Sequence, residues 1–215
     1  MEKIIPLIKP SKAEVAYAVG DLSNAKNALE ANGYRIASVE EIAKARIEQG
    51  RDADVSKFSG WTREGLIYTR KTGMFLTKNS PIMANAKEAT DCHRNKNEFY
   101  LNQKQLEQAM GDSVRVTDEL IPTNRFGENE VTIYLFGKIS EKYGEFLKDA
   151  GIKEMPIYLT NPKENPFARP LWFGSLDHRS GLDGDCWSLR FDGYGVFGVL
   201  MRDNLFQKLK KICKI

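Results

Sequence analysis

Cysteine and histidine are scarce in this chain, whose 215 residues include three cysteines and two histidines. Cys92, Cys186 and Cys213 are an odd and sparse set, which excludes a disulfide framework and predicts reduced thiols. Cys92, His93, His178 and Cys186 would supply zinc ligands, but the chain has neither a C-x₂₋₄-C nor an H-x₃₋₅-H pair. These residue types therefore predict no metal centre and no cofactor.

Long apolar runs and enzyme signatures are also absent. No apolar stretch approaches the ~20 residues that span a bilayer, and Pro6 interrupts the N-terminal apolar patch, which is too short for a secretory signal. We therefore expect cytoplasmic synthesis and leave display on a surface or virion open. The chain has no G-x-S-x-G, Walker A or H-E-x-x-H motif, so we predict that it is not an enzyme. A net charge of +3 is too small to indicate nucleic-acid binding, and we expect a monomer without a transmembrane segment.

The composition that is present, 41% hydrophobic and 28% charged, is typical of a folded globular protein. Apolar spacing predicts a helix over residues 11–31, and the capping box that begins at Ser38 predicts a second helix. A hairpin is predicted around Lys71–Gly73, and the β-prone composition of residues 129–137 predicts a strand. Residues 1–75 are expected to form a helical and hairpin segment packed on a main domain of residues 76–215.

Glycine is concentrated near the C-terminus, where residues 193–198 spell a literal G-x-G-x-x-G. A dinucleotide-binding turn needs these glycines after a strand and at the start of a helix. The residues that follow Gly193 are strand formers instead, which predicts a hairpin turn at Asp192–Gly193. Gly195 and Gly198 are therefore predicted to be strand glycines that a neighbouring group approaches closely.

A second local absence surrounds these glycines: residues 171–201 contain no Lys, Glu, Gln or Asn. The segment reads as three short strands, "LWFGSLD", "CWSLRF" and "GVFGVLM", and the Asp- and His-containing stretch from Asp177 to Asp185 joins the first two. Aromatic, Ser, Gly and Asp residues without lysine resemble a paratope more than an ordinary surface. Two alternatives stay open for residues 177–185: a calcium ion held by the aspartates, or a hydrolase or nucleic-acid-processing active site.

Residues 170–199, "PLWFGSLDHRSGLDGDCWSLRFDGYGVFGV", resemble the variable region of proteins diversified by diversity-generating retroelements, particularly the archaeal members. In that family a reverse transcriptase copies a template repeat with mutation at adenines, mostly in asparagine codons. Such codons can become Asp, His, Ser, Cys, Phe, Tyr, Val, Leu, Gly or Arg, but never Trp, Lys, Glu, Gln or Met. The segment is rich in the first group and contains no Lys, Glu or Gln, and by this rule its two tryptophans, Trp172 and Trp187, would be scaffold.

The resemblance implies the fold, the function and the site. The expected fold class is α+β, a C-type-lectin-like fold with helices packed on antiparallel strands and a C-terminal three-stranded meander. The expected function is a ligand-binding scaffold whose variable region, about residues 170–200, recognises varied protein or other macromolecular targets. The scaffold residues would be Trp172, Trp187 and Leu189. Phe173, Ser175 and Phe197 also suit the core, and the full set of expected ligand-binding positions is Phe173, Ser175, Asp177, His178, Asp183, Asp185, Cys186, Ser188, Arg190, Tyr194 and Phe197.

Overall fold

A computed structural model describes residues 15–184 and 195–201 of the chain, together with the backbone of residues 4–6. The strands within these ranges are β1 Ile4–Pro6, β2 Val15–Val19, β3 Tyr34–Ile36, β4 Gly60–Thr69, β5 Gly73–Thr77, β6 Phe99–Tyr100, β7 Ser113–Val116, β8 Glu119–Pro122, β9 Glu154–Tyr158, β10 Phe167–Phe173, β11 Leu182–Asp183 and β12 Gly195–Leu200. The α-helices are α1 Leu22–Ala31, α2 Val39–Gln49, α3 Asp54–Lys57, α4 Pro81–Ala84, α5 Ala86–Arg94, α6 Gln103–Met110, α7 Glu130–Phe136 and α8 Ser140–Asp149.

The strands join into one mixed sheet with the order β1-β2-β12-β4-β10-β11-β9-β8. Away from this path, β3 pairs with β12, β5 with β4 and β7, and β6 with β10. Most of the described pairs are antiparallel, whereas β12 pairs with β4 and β11 pairs with β9 in parallel. Strands from both ends of the chain therefore meet at the centre of the sheet.

Helices cover both faces of the sheet, and the residues of β4 show this division. Leu66 and Tyr68 belong to a hydrophobic cluster formed with α2, α7 and α8, whereas Trp61 and Ile67 belong to a second cluster formed with α1, α4, α5 and α6. Alternate residues of a strand point to opposite faces. A strand that is apolar on both sides must therefore be central, which explains why β4 is buried along almost its whole length.

Two of the expected secondary-structure elements are wrong. Residues 11–31 include strand β2 and then helix α1, because Asp21 caps α1 by accepting a hydrogen bond of 2.9 Å from the Asn24 N–H. Residues 129–137 hold helix α7 and not a strand. Asn129 caps this helix by accepting a hydrogen bond of 3.1 Å from the Thr132 N–H. The buried residues of α7 repeat after four positions, as one face of a helix does: Val131, Thr132, Leu135 and Phe136. In both cases a short polar side chain provides the helix start that composition does not reveal.

Other expectations about local structure are confirmed. The capping box at Ser38 begins α2, with both reciprocal hydrogen bonds to Glu41 present, and the hairpin around Lys71–Gly73 joins β4 to β5. Gly195 and Gly198 lie in β12, where neighbouring groups approach both of them closely. A Cβ on Gly195 would lie 2.5 Å from the Ala18 carbonyl oxygen.

Two strands of the expected three-stranded meander, β10 and β12, are described, and they are not direct neighbours. Strand β4 lies between β10 and β12, and the antiparallel partners of β12 are β2 and β3. Strand β12 has no charged residue, so it is best buried at the centre of the sheet, where it pairs with N-terminal strands. "CWSLRF" lies outside the described residues. The division at residue 75 stays a prediction, and residue 75 itself lies within β5.

Candidate ligand-binding surface

A cleft of about 430 Å³ lies where β9, β10 and β11 end and where β4 begins. Tyr158, Asp183 and Trp172 are direct cross-strand neighbours on β9, β11 and β10, so their side chains leave the same face of the sheet. The segment before β4 supplies another wall through Lys57, Phe58 and Ser59, and the remaining lining residues are Tyr17, Gly174, His178 and Gly181.

The structure separates the expected ligand-binding positions into three groups. Asp177 and His178 are exposed and Asp183 is half-buried, so part of each of these three side chains is open to solvent. Phe173, Ser175 and Phe197 are buried. The other expected positions lie outside the described residues, namely Asp185, Cys186, Ser188, Arg190 and Tyr194, as do the expected scaffold residues Trp187 and Leu189.

The three buried positions correct the expected site, because their side chains contact the protein interior. Phe173 packs against Phe136 and Tyr143, with ring centroids 6.2 Å apart in both pairs. Phe197 contacts Tyr17 edge to face at 5.1 Å. Ser175 has a side chain that is almost completely buried, and its hydroxyl lies 3.0 Å from Nδ1 of His178. Side chains that fill the core cannot also reach a ligand.

The exposed side chains of Asp177 and His178 project from a turn, residues 174–181, whose backbone is closed by its own hydrogen bonds. The Gly174 N–H donates to the Gly181 carbonyl at 2.8 Å, and the Ser180 N–H donates to the Ser175 carbonyl at 2.8 Å. Arg179 and Ser180 have φ values of 54° and 55°, the left-handed conformation that completes a tight turn. The fold of this turn is therefore set mainly by the backbone, and His178 adds one side-chain contact to it, between Nδ1 and the Ser175 hydroxyl.

Arg46 of α2 holds the same turn from beneath. Its guanidinium is completely buried and donates to the Ser180 hydroxyl at 2.7 Å, to the Tyr143 hydroxyl at 3.1 Å and to the Phe58 carbonyl at 3.0 Å. It also lies over the Phe173 ring, 4.3 Å from the centroid. One buried cation thus joins the turn, the wall of the cleft at Phe58 and helix α8.

Comparison with known proteins identifies the fold that forms this cleft. No family model matches the chain, and no curated protein matches its sequence. The structure is similar to a solved one described as "Accommodation of massive sequence variation in Nanoarchaeota by the C-type lectin fold", with a TM-score of 0.66 and 16% identity over 91% of this chain and 100% of the other. This chain has the C-type lectin fold. The expected α+β, C-type-lectin-like class is confirmed, and the similarity agrees with the resemblance of residues 170–199 to retroelement variable regions.

Several residues of the cleft in this C-type lectin fold were not found from the sequence. Tyr17, Phe58 and Tyr158 lie outside the expected variable region in the sequence, and no local motif marks them. The buried Arg46 beneath the turn was also missed, although the spacing of residues in the sequence indicates its burial. It follows Ile42 by four positions, which places it on the buried face of the helix that begins after Ser38. A charged residue on that face predicts a buried hydrogen-bonding role.

The hydroxyl of Tyr17, at the floor of the cleft, stays protonated and therefore neutral. Burial raises the pKa of the Tyr17 hydroxyl far above its usual range, and this hydroxyl donates to the Ser59 carbonyl at 2.6 Å. Among residues 15–184 and 195–201, no three His, Cys, Asp or Glu side chains are grouped so that they could hold a metal ion. Within the same residues, every helix is too short or too polar to cross a membrane.

Proposed function

We propose that the chain is a ligand-binding scaffold whose C-terminal surface is diversified by a retroelement to recognise varied protein or other macromolecular targets. The observation that carries this proposal is the anchored turn of residues 174–181. Its backbone is fixed by internal hydrogen bonds and by Arg46, while Asp177 and His178 are exposed. A rigid backbone that displays interchangeable side chains is the arrangement that variable recognition requires.

The residues that line the cleft support the same function. Asp183 and His178, two positions that codon mutation could alter, stand beside Tyr158 and Trp172. Aromatic rings next to short polar side chains are typical of protein-binding surfaces, where rings provide contact area and polar groups select the partner. An open cleft at the ends of strands suits part of a macromolecule better than it suits a fully enclosed small molecule.

The alternative, a hydrolase that uses the Asp- and His-containing segment, has one geometric argument in its favour, the 3.0 Å contact between Ser175 and His178. Two observations oppose it. The Ser175 side chain is almost fully buried, so its hydroxyl is closed to a substrate. The two residues are also three apart in one turn, where the Ser175 carbonyl accepts from the His178 N–H at 3.1 Å. The contact therefore stabilises the turn, and a nucleophile would need exposure.

A pair of display libraries tests the proposed function. One library randomises Asp177, His178 and Asp183, and a control library randomises three exposed positions of α6, namely Lys104, Glu107 and Gln108. Both are selected against two unrelated purified proteins, hen lysozyme and serum albumin. We expect folded, target-specific binders from the first library and none from the second. If the first library mostly unfolds or gives no more binders than the α6 library, the proposal is wrong.

A further inference from the structure

We propose that the cleft contains a fixed anchor site for an aromatic side chain of a protein ligand, formed by the rings of Tyr17, Phe58, Tyr158 and Trp172. This inference rests on the proposed function and gives the chemical class of what that surface binds. The ligands of different variants would then all insert an aromatic ring into the cleft. The variable positions would recognise the parts of each ligand that surround this ring.

The four rings are held in place; Phe58, Tyr158 and Trp172 keep part of their surface accessible, whereas Tyr17 is the buried floor beneath them. Tyr17 is 4% exposed and packs against Phe58, with centroids 5.2 Å apart. Trp172 is half-buried and meets Trp61 edge to face at 5.3 Å and 80°. Tyr158 is 48% exposed, and its hydroxyl accepts a hydrogen bond of 3.1 Å from Arg179. Rings that are already ordered lose little conformational entropy when a ligand binds.

These rings are constant for two different reasons. Tyr17, Phe58 and Tyr158 lie outside residues 170–200, the expected variable region. Trp172 lies inside that region, but mutation of the adenines in an asparagine codon cannot produce tryptophan. His178 and Asp183 line the same cleft and can vary. The cleft thus combines a constant aromatic part with a rim that changes between variants.

The polar groups near the rings favour an apolar ligand group over a sugar. The Tyr17 hydroxyl donates to the Ser59 carbonyl at 2.6 Å, and the Ser59 hydroxyl accepts from the Ser175 N–H at 2.7 Å. Nδ1 of His178 is within 3.0 Å of the Ser175 hydroxyl. Because these groups bond to one another, the surface that they leave to a ligand is mainly ring, and Lys57 and Asp183 add one charged side chain of each sign to the cleft. A sugar ring would need several hydrogen-bonding partners to replace its water.

The choice of an aromatic group over an aliphatic one follows from Lys57. This residue lines the same cleft as the rings and is exposed, so the cleft includes a cationic side chain. A cation attracts the face of an aromatic ring but not a branched aliphatic chain of similar size. Aromatic pairs also gain from edge-to-face or offset contacts. Aromatic residues of protein ligands are frequent anchors in such pockets.

The anchor is tested by titrating ¹⁵N-labelled full-length protein with N-acetyl-L-phenylalaninamide, following amide shifts and tryptophan fluorescence. N-acetyl-L-leucinamide and methyl glucoside are the comparison probes. The variants are Tyr158→Ala and Lys57→Gln, and the matched control is Tyr100→Ala, which removes a tyrosine of similar exposure, 49%, that does not line the cleft. We expect saturable binding of the aromatic probe, weakened about tenfold by Tyr158→Ala and by a smaller factor by Lys57→Gln, with no change for Tyr100→Ala.

The outcomes separate this inference from the proposed function. If the aromatic probe does not bind saturably, if leucinamide or methyl glucoside binds more tightly, or if Tyr100→Ala has the same effect as Tyr158→Ala, the anchor site is wrong. Lysozyme binders from the first library that keep their affinity when Tyr158→Ala is added would also overturn the anchor, while the scaffold function would stand. Probe binding without any library binders would instead count against the scaffold function.

Discussion

Arg46 Nη1 donates a hydrogen bond of 2.7 Å to Ser180 Oγ, although 134 residues separate the two in the chain. The bond links the first half of the fold to the turn that displays Asp177 and His178. Because the bond is buried, side-chain exchanges at the exposed positions leave it unchanged. The display surface and the groups that fix it are therefore physically separate, which allows one to vary while the other is constant.

Replacement of Arg46 by methionine is expected to lower the free energy of unfolding by about 2–4 kcal/mol. The Val55 and Phe58 carbonyls would lose their buried donors, as would the Ser180 hydroxyl. Urea unfolding followed by circular dichroism measures the loss. Arg51→Met is the control because the Arg51 side chain is 66% exposed, and it should cost almost nothing. Equal losses in the two variants would mean that Arg46 has no special role.

Asp177 and Phe173 were expected to belong to one variable surface, and the structure predicts opposite tolerance for them. Asp177→Ser should change the free energy of unfolding by less than about 0.5 kcal/mol because the side chain is exposed. Phe173→Ser should lower it by about 3–5 kcal/mol because the ring is completely buried beside Arg46 and Tyr143. Thermal unfolding of both variants checks this, and a tolerated Phe173→Ser would place Phe173 on the surface after all.

The sequence predicted correctly those local structures that depend only on residues adjacent in the chain. The capping box at Ser38 and the hairpin turn at Lys71–Gly73 need only a few adjacent side chains, and both are confirmed. The resemblance of residues 170–199 to retroelement variable regions implied the C-type-lectin-like fold class, which is confirmed. Sequence reasoning failed for residues 129–137, where the cap on Asn129 outweighs the β preference of "VTIY". Propensity is a weak guide when a cap and a buried helical face oppose it.

The cleft could not be predicted because its walls come together only in the folded chain. Tyr17 and Ser59 are 42 residues apart in the sequence, and Ser59 and Ser175 are 116 apart. No spacing rule connects such positions. The place of β12 between β2 and β4 was equally hidden, since strand order depends on which apolar strands bury one another best. Without homologous sequences, pairings of this kind have no signal in one chain.

Gly195 is expected to tolerate alanine less well than Gly198. At Gly195 a Cβ would meet the Ala18 carbonyl oxygen at 2.5 Å, and this backbone oxygen cannot move without disturbing β2. At Gly198 the nearest atom, also at 2.5 Å, is a Leu29 methyl carbon that can rotate. We expect Gly195→Ala to cost about 1–3 kcal/mol and Gly198→Ala less. The free energies of unfolding of both variants, measured by chemical unfolding, are compared with that of Gly111→Ala. A Cβ on Gly111 would meet its nearest atom at 3.6 Å, so this substitution should not lower the free energy of unfolding. If alanine lowered the free energy of unfolding equally at Gly195 and Gly198, the close approach of the Ala18 carbonyl oxygen to Gly195 would not be what limits substitution there.

Glu64 gives the fold a pH dependence with a definite sign. Its side chain is completely buried in β4, where one carboxylate oxygen accepts from the Val39 N–H at 3.1 Å and the other has no hydrogen-bond partner in the described part of the chain. Desolvation raises the pKa of Glu64 above its ordinary value of 4.5, and the polar groups of its own backbone, of Thr62 and of Val39 oppose the shift only in part. The folded state therefore binds the proton more tightly than the unfolded chain does. The contribution of Glu64 to stability is then fully present below pH 4.5 and is lost as the pH rises through the raised pKa.

Glu64→Gln is expected to remove this loss, because glutamine keeps an acceptor for the Val39 N–H and carries no charge to desolvate. The stability of the variant relative to the natural protein should therefore increase from pH 4 to pH 8, as measured by urea unfolding at several pH values. Glu41→Gln is the matched control with the opposite sign. Burial alone would raise the pKa of Glu41, but hydrogen bonds from Arg35 and Ser38 outweigh it and lower the pKa. The Glu41 carboxylate thus stabilises the fold above pH 4.5, so its replacement should cost more at pH 7 than at pH 3. If both variants showed the same pH trend, the buried carboxylate of Glu64 would not be the source of the dependence.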